Sequence, residues 1–279
     1  MAYSSKIGFM QGRLSPMINN CIQAFPWRTW RDEFSLAHEI NLNLMEWTLD
    51  QKRLYENPLL TKEGQAEIKN LCQLKHILIP SLTGDCFMQA PLWKYKGAER
   101  LELEKDFIEI AKASVAIGIS MIIIPLVDNG RLENMAQEDD LVNFLDHQSN
   151  FLSDCRLMIL FESDYKPNEL ARFIGRLDPL LFGVNYDIGN SAALGFKVEE
   201  EFLAYGERII NVHIKDRLFE GTTVPLGAGS ADFNAVFRAL SKINYNGNYI
   251  LQTARAKDSN DAEVLSVYRD MSISWLENL

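Results

Sequence analysis

Four short apolar runs in the second half of the chain each end in a polar residue able to bind a metal: Leu157–Glu162, Phe182–Asp187, Ile209–His213 and Tyr249–Gln252. Each run is rich in β-branched or aromatic residues, and a helix-like segment separates it from the next. That is the pattern of successive βα units in a parallel sheet. Parallel strands point their C-terminal ends to one rim, where α/β barrels keep their chemistry. Glu, Asp and His are hard or borderline donors suited to a divalent cation. The remainder of the chain is therefore expected to be scaffold for that rim.

The same alternation can be followed eight times. Strands are predicted at 7–11, 43–47, 77–81 and 121–126, ahead of the four ligand-bearing runs. Helices are predicted at 30–40, 61–74, 97–117, 139–155, 168–176, 198–207, 233–243 and 261–279, with Thr61 and Asp232 as N-caps and Gly118 as a C-cap. Pro80 is expected at the end of the third strand, where a ladder bond can be spared. The aromatic-rich stretch 82–96 is either a lid over the rim or a loop packing its own cluster. Eight strict βα pairs predict a (β/α)8 TIM barrel, one domain over residues 1–279. No GxGxxG follows the first strand, which argues against a dinucleotide fold.

Charge and cysteine usage narrow the function. With 279 residues there is room for one such barrel, and a net charge of −10 without any basic block makes nucleic acid and anionic membrane poor partners. The start of the sequence has no signal-peptide core, and the longest apolar run, 121–127, is interrupted by Pro125 and too short to cross a bilayer. Cys21, Cys72, Cys86 and Cys155 form no CxxC pair, as expected for reduced thiols in the cytoplasm. His38, His76 and His147 fall away from strand C-termini and are read as scaffold.

Glu162, Asp187 and His213 recur at intervals of roughly one βα unit, as repeated placement at strand ends requires. The turns around them carry a resemblance. Asn185-Tyr-Asp187-Ile-Gly-Asn190, Asn211-Val-His213-Ile-Lys-Asp216 and Val224-Pro-Leu-Gly-Ala-Gly229 with Asp232-Phe233 resemble motifs of the xylose-isomerase-like TIM-barrel superfamily, within it the sugar phosphate isomerase/epimerase group. The resemblance implies one divalent metal ion (Mn, Mg, Co or Zn) held by Glu162, Asp187, His213 and Gln252. It implies a small-molecule sugar or sugar phosphate as substrate, with proton removal by Glu162 through a metal-stabilised enediolate. It leaves a homodimer open.

The sequence departs from the family pattern at two places. The carboxylate expected on the eighth strand is Gln252, whose amide can coordinate a cation but cannot act as a base near neutral pH. One-base reactions, aldose–ketose isomerisation or dehydration of the inosose type, therefore rank level with or above two-base epimerisation. A barrel that binds sugar without turning it over is a further alternative. Some ketose epimerases of the group carry His three residues after the Asp ligand; here it is Asn190, which points away from the free-ketose 3-epimerases. Arg13, Arg217 and Arg255 are candidates to face a phosphate or carboxylate, or else to pair with loop carboxylates. Lys215 is a candidate substrate contact, and Glu46 a candidate to bond a sugar hydroxyl or orient a ligand.

Overall fold

The structure, a computed structural model, describes residues 3–18 and 21–277. In chain order its strands are β1 (Ile7–Met10), β2 (Leu44–Thr48), β3 (Leu78–Thr83), β4 (Met121–Leu126), β5 (Met158–Ser163), β6 (Phe182–Asp187), β7 (Ile209–Ile214), β8 (Asp216–Arg217), β9 (Thr223–Val224) and β10 (Asn248–Leu251). All but β8 and β9 close into a parallel barrel in the order β1-β10-β7-β6-β5-β4-β3-β2. The expected (β/α)8 TIM barrel is the observed fold.

The helical layer forms for the reasons read from the sequence. Thr61 Oγ1 accepts from Gly64 N at 3.1 Å and Asp232 Oδ1 from Ala235 N at 2.8 Å, so both N-caps are made. Gly118 ends the helix Gly97–Ile117 at φ +94, a conformation that favours glycine. Outward strand residues pack on the helices: Phe161 meets Phe173 with ring centroids 5.1 Å apart, and Tyr249 meets Phe237 at 5.8 Å. Full burial of side chains of this size contributes about 2–3 kcal/mol each. The helix predicted at 261–279 runs over Asp261–Glu277, and its last two predicted residues lie outside the described chain. No helix among the described residues is long and apolar enough to cross a membrane.

Some local expectations change. Pro80 does not end its strand, because β3 continues to Thr83. Leu44 pairs with Leu78 but Glu46 with Ser81, so β3 carries one extra residue across this interval. A bulge there spares the ladder bond that proline cannot make. A second bulge separates Val184–Ile209 from Asn185–Asn211 and brings Asp187 level with His213. Stretch 82–96 shares both expected features: Phe87 packs 5.8 Å from Phe107 of the helix Gly97–Ile117 and Trp93 is buried, while Asp85, Met88 and Gln89 line a cavity on the rim.

The loop after β1 is clamped from below. The buried Glu33 carboxylate accepts from Gly12 N at 2.8 Å and Leu14 N at 3.0 Å. Arg255 donates to the carbonyls of Gly12 and Ser15 on the same loop. Glu33→Ala strands two buried N–H groups beside the buried Arg13 and the half-buried Arg255, and should destabilise the fold by about 3 kcal/mol. Urea unfolding of the variant against the parent protein measures this.

Candidate metal centre

Side chains on a strand alternate between faces, so residues two apart look the same way. Asn185 and Asp187 on β6, Asn211 and His213 on β7, and Ser81 and Thr83 on β3 obey that spacing. Together with Glu46 and Glu162 they form one buried polar layer. Donor atoms of Glu162, Asp187 and His213 all lie within 4.8 Å of one another.

The layer beneath fixes the ring of His213. Its Nε2 faces Glu46 Oε1 at 2.7 Å, while Nδ1 faces Glu162 Oε2 at 3.1 Å. Glu46 is itself held by Ser81 Oγ at 2.7 Å, by Thr83 Oγ1, and by Asn211 Nδ2 at 3.1 Å. Asn211 also donates to Asn185 Oδ1 at 2.9 Å, which turns the Asn185 amide nitrogen toward Glu162 Oε2 at 2.9 Å. A carboxylate braced by three donors behind an imidazole is the arrangement that orients metal-binding histidines. Glu46 is completely buried and satisfied within this layer, so it orients His213 and is not placed to bond a sugar hydroxyl.

Burial alone would lower the imidazole's pKa, but Glu46 and Glu162 push His213 up to about 10. Burial likewise opposes the charge of Glu162, yet His213 and Lys215 hold it below the usual carboxylate value. For Asp187 burial prevails over Lys215 and leaves its pKa raised.

Asn190 closes the site from the turn after β6. Asp187 Oδ1 caps the short helix Ile188–Leu194 by accepting from Asn190 N at 2.8 Å. The Asn190 amide donates to Glu162 Oε1 at 2.7 Å and accepts from Lys215 at 3.2 Å and Arg217 at 2.9 Å. Lys215 Nζ also reaches Asp187 Oδ2 and Gln252 Oε1, each at 3.1 Å. Gln252 thus shares a donor with the ligand cluster.

Above this group opens a cavity of about 540 Å³. Glu162, Asn190, Lys215, Arg217, Gln252 and Arg13 all face it. Arg13 is buried, with burial first and Arg255 second lowering its pKa to about 10. Its guanidinium meets Ile22 O at 2.7 Å and Gln23 Oε1 at 3.4 Å, and its Nε has no partner. Arg217 spends its other donors on Gly221 O. Arg255 takes the other alternative: its guanidinium bonds the β1 loop carbonyls, lies 3.9 Å from Asp261 Oδ2, and does not line this cavity.

Sequence reasoning overlooked several residues that the site uses. Asn185 and Asn211 lie two positions before a candidate ligand, a period-two signal that was available. Gln23, from the loop after β1, and Asp85, from the short helix Asp85–Gln89, carried no such signal. The β8–β9 ribbon and the helix Ile188–Leu194 were also unforeseen.

The chain is similar to several known proteins. An L-ribulose-5-phosphate 3-epimerase, UlaE, from Salmonella heidelberg is 24% identical over 257 residues, 86% of this chain and 88% of that protein. A xylose isomerase domain protein from Planctomyces limnophilus superimposes with a TM-score of 0.76 at 14% identity, covering 98% of both chains. IOLI protein with a bound zinc atom superimposes with a TM-score of 0.73 at 15% identity, again covering 98% of both. The xylose isomerase-like TIM barrel family matches residues 34–271. With that match over most of its length, the chain belongs to the xylose isomerase-like TIM barrel family.

Proposed function

We propose that this protein is a divalent-metal-dependent isomerase or epimerase of a small sugar or sugar phosphate, with Glu162 as its base. The observation that carries the reading is the convergence of Glu162, Asp187 and His213 within 4.8 Å, with Glu46 behind the imidazole. The donor chemistry fits a divalent cation: two carboxylates, an imidazole oriented from its far nitrogen, and the amide oxygen of Gln252 as a fourth ligand. Mn, Mg, Co and Zn all suit this set. When bound, such a cation supplies Lewis-acid polarisation of a carbonyl, which acidifies the adjacent C–H.

The chain's own residues do the rest. Glu162 takes the proton; Asn185 and Asn190 hold one carboxylate oxygen each and so fix the direction from which it acts. Gln252 cannot accept a proton, which favours a single base moving a proton between neighbouring carbons over a two-base inversion. Among the described residues Arg13 and Arg217 have no carboxylate within ion-pair distance, although both face the cavity. Two guanidinium groups that face the cavity without a carboxylate partner suit a phosphate at one end of the substrate. The relative's name, L-ribulose-5-phosphate 3-epimerase, supports the same substrate class. Four cysteines without a CxxC pair fit a cytoplasmic enzyme.

The test is hydrogen exchange. Pentoses, hexoses and their 5- or 6-phosphates are incubated with the protein and Mn²⁺ in D₂O, and deuterium uptake is followed by NMR. The expected result is uptake at one carbon adjacent to the carbonyl, faster for the phosphate esters. Absence of uptake in every member of both classes would contradict the proposal.

A further inference from the structure

A carboxylate offers an oxygen whichever way it turns. A primary amide does not: half a turn of its last torsion swaps an acceptor for two N–H donors. Gln252 can serve a cation only if its oxygen is held toward the cluster and its nitrogen away from it. Both ends of this amide are engaged. Oε1 accepts from Lys215 Nζ at 3.1 Å, and Nε2 donates to Gln23 Oε1 at 2.9 Å.

Gln23 is an amide too, and by itself could be turned either way. Its environment removes the choice. The Gln23 oxygen also accepts from Arg13 at 3.4 Å, and its nitrogen donates to Asp85 Oδ2 at 2.7 Å. A guanidinium can only donate and an ionised carboxylate can only accept. Burial raises the Asp85 carboxyl to about 7; in its ionised form it agrees with Arg13 on the orientation of Gln23, and Lys215, which can only donate, enforces the same sense on Gln252. Asp85 and Gln252 are buried, with 7% of each surface exposed, so water is a poor substitute for either partner.

We propose that Gln23 and Asp85 are positioning residues that hold the Gln252 amide with its oxygen toward Glu162, Asp187 and His213. The inference rests on the reading of Gln252 as the fourth ligand. It also accounts for how an amide works at a position where the family resemblance places a carboxylate, since a carboxylate would need no such relay. The alternative is that Gln23 merely pins its loop.

Binding of Mn²⁺ to the full-length chain, followed by the EPR signal of the free ion, separates the two. Gln23 is only half-buried, so Gln23→Met should fold; Asp85→Ala is the second probe of the relay, and thermal melts check both. In the parent protein each should weaken Mn²⁺ binding roughly tenfold, the low end of outer-layer effects on metal sites. In a Gln252→Glu background, where no orientation is needed, the same substitutions should change affinity less than about twofold, by the acceptor-only character of a carboxylate. Equal losses in both backgrounds, or no loss in the parent, would overturn the relay while leaving the metal site intact. If the parent binds no Mn²⁺, or Asp187→Ala binds it equally well, the metal reading fails and the relay fails with it.

Discussion

Glu162→Gln should lower kcat/KM by about 10²- to 10⁴-fold, because general-base catalysis of a proton transfer is worth roughly that much. Solvent deuterium should no longer enter the substrate at a measurable rate. Folding should suffer far less. Asn185 and Asn190 both present N–H donors to the carboxylate, and a glutamine amide can accept from only one of them at a time. One lost hydrogen bond at this position costs about 1–3 kcal/mol. A large kinetic loss with a small stability loss is therefore the signature of Glu162 as base. Undiminished deuterium exchange in the folded variant would remove it from that role.

Gln252→Glu acts in the opposite direction. It adds one negative charge to the donor set and converts the 3.1 Å contact with Lys215 into an ion pair. Charge count among oxygen ligands is a strong determinant of cation affinity, and Mn²⁺ should bind roughly 10- to 100-fold more tightly. The new carboxylate also offers a second base in the cluster. Deuterium should then appear in the product with inverted as well as retained configuration at the exchanging carbon, read by NMR of the isolated sugar. An affinity no higher than the parent's would mean that residue 252 does not face the cation.

The fold and three of the proposed ligands were legible because both depend on strand periodicity. Glu162, Asp187 and His213 close apolar runs of similar length, and barrel geometry carries every such end to one rim. Asn185 and Asn211 were equally legible on the period of two, although attention to strand termini hid them. What could not be read depends on reach. Arg255 follows the last strand just as Arg217 follows β7, but one guanidinium folds back onto the Gly12 and Ser15 carbonyls while the other faces the cavity. Long side chains choose among acceptors that only the folded chain brings near. Gln23 and Gln252 meet across 229 positions of sequence, a pairing fixed by closure of the barrel between β1 and β10. Pro80 was misplaced for a related reason: a proline is compatible with a strand end or with a bulge, and the register against β2 decides between them.

Anomalous diffraction at the manganese edge, from crystals of the full chain grown with Mn²⁺, tests the account most directly. The expected map has one peak on the C-terminal rim, about 2 Å from a donor atom of each of Glu162, Asp187, His213 and Gln252. A peak elsewhere, or none with the four side chains ordered as found here, would contradict it.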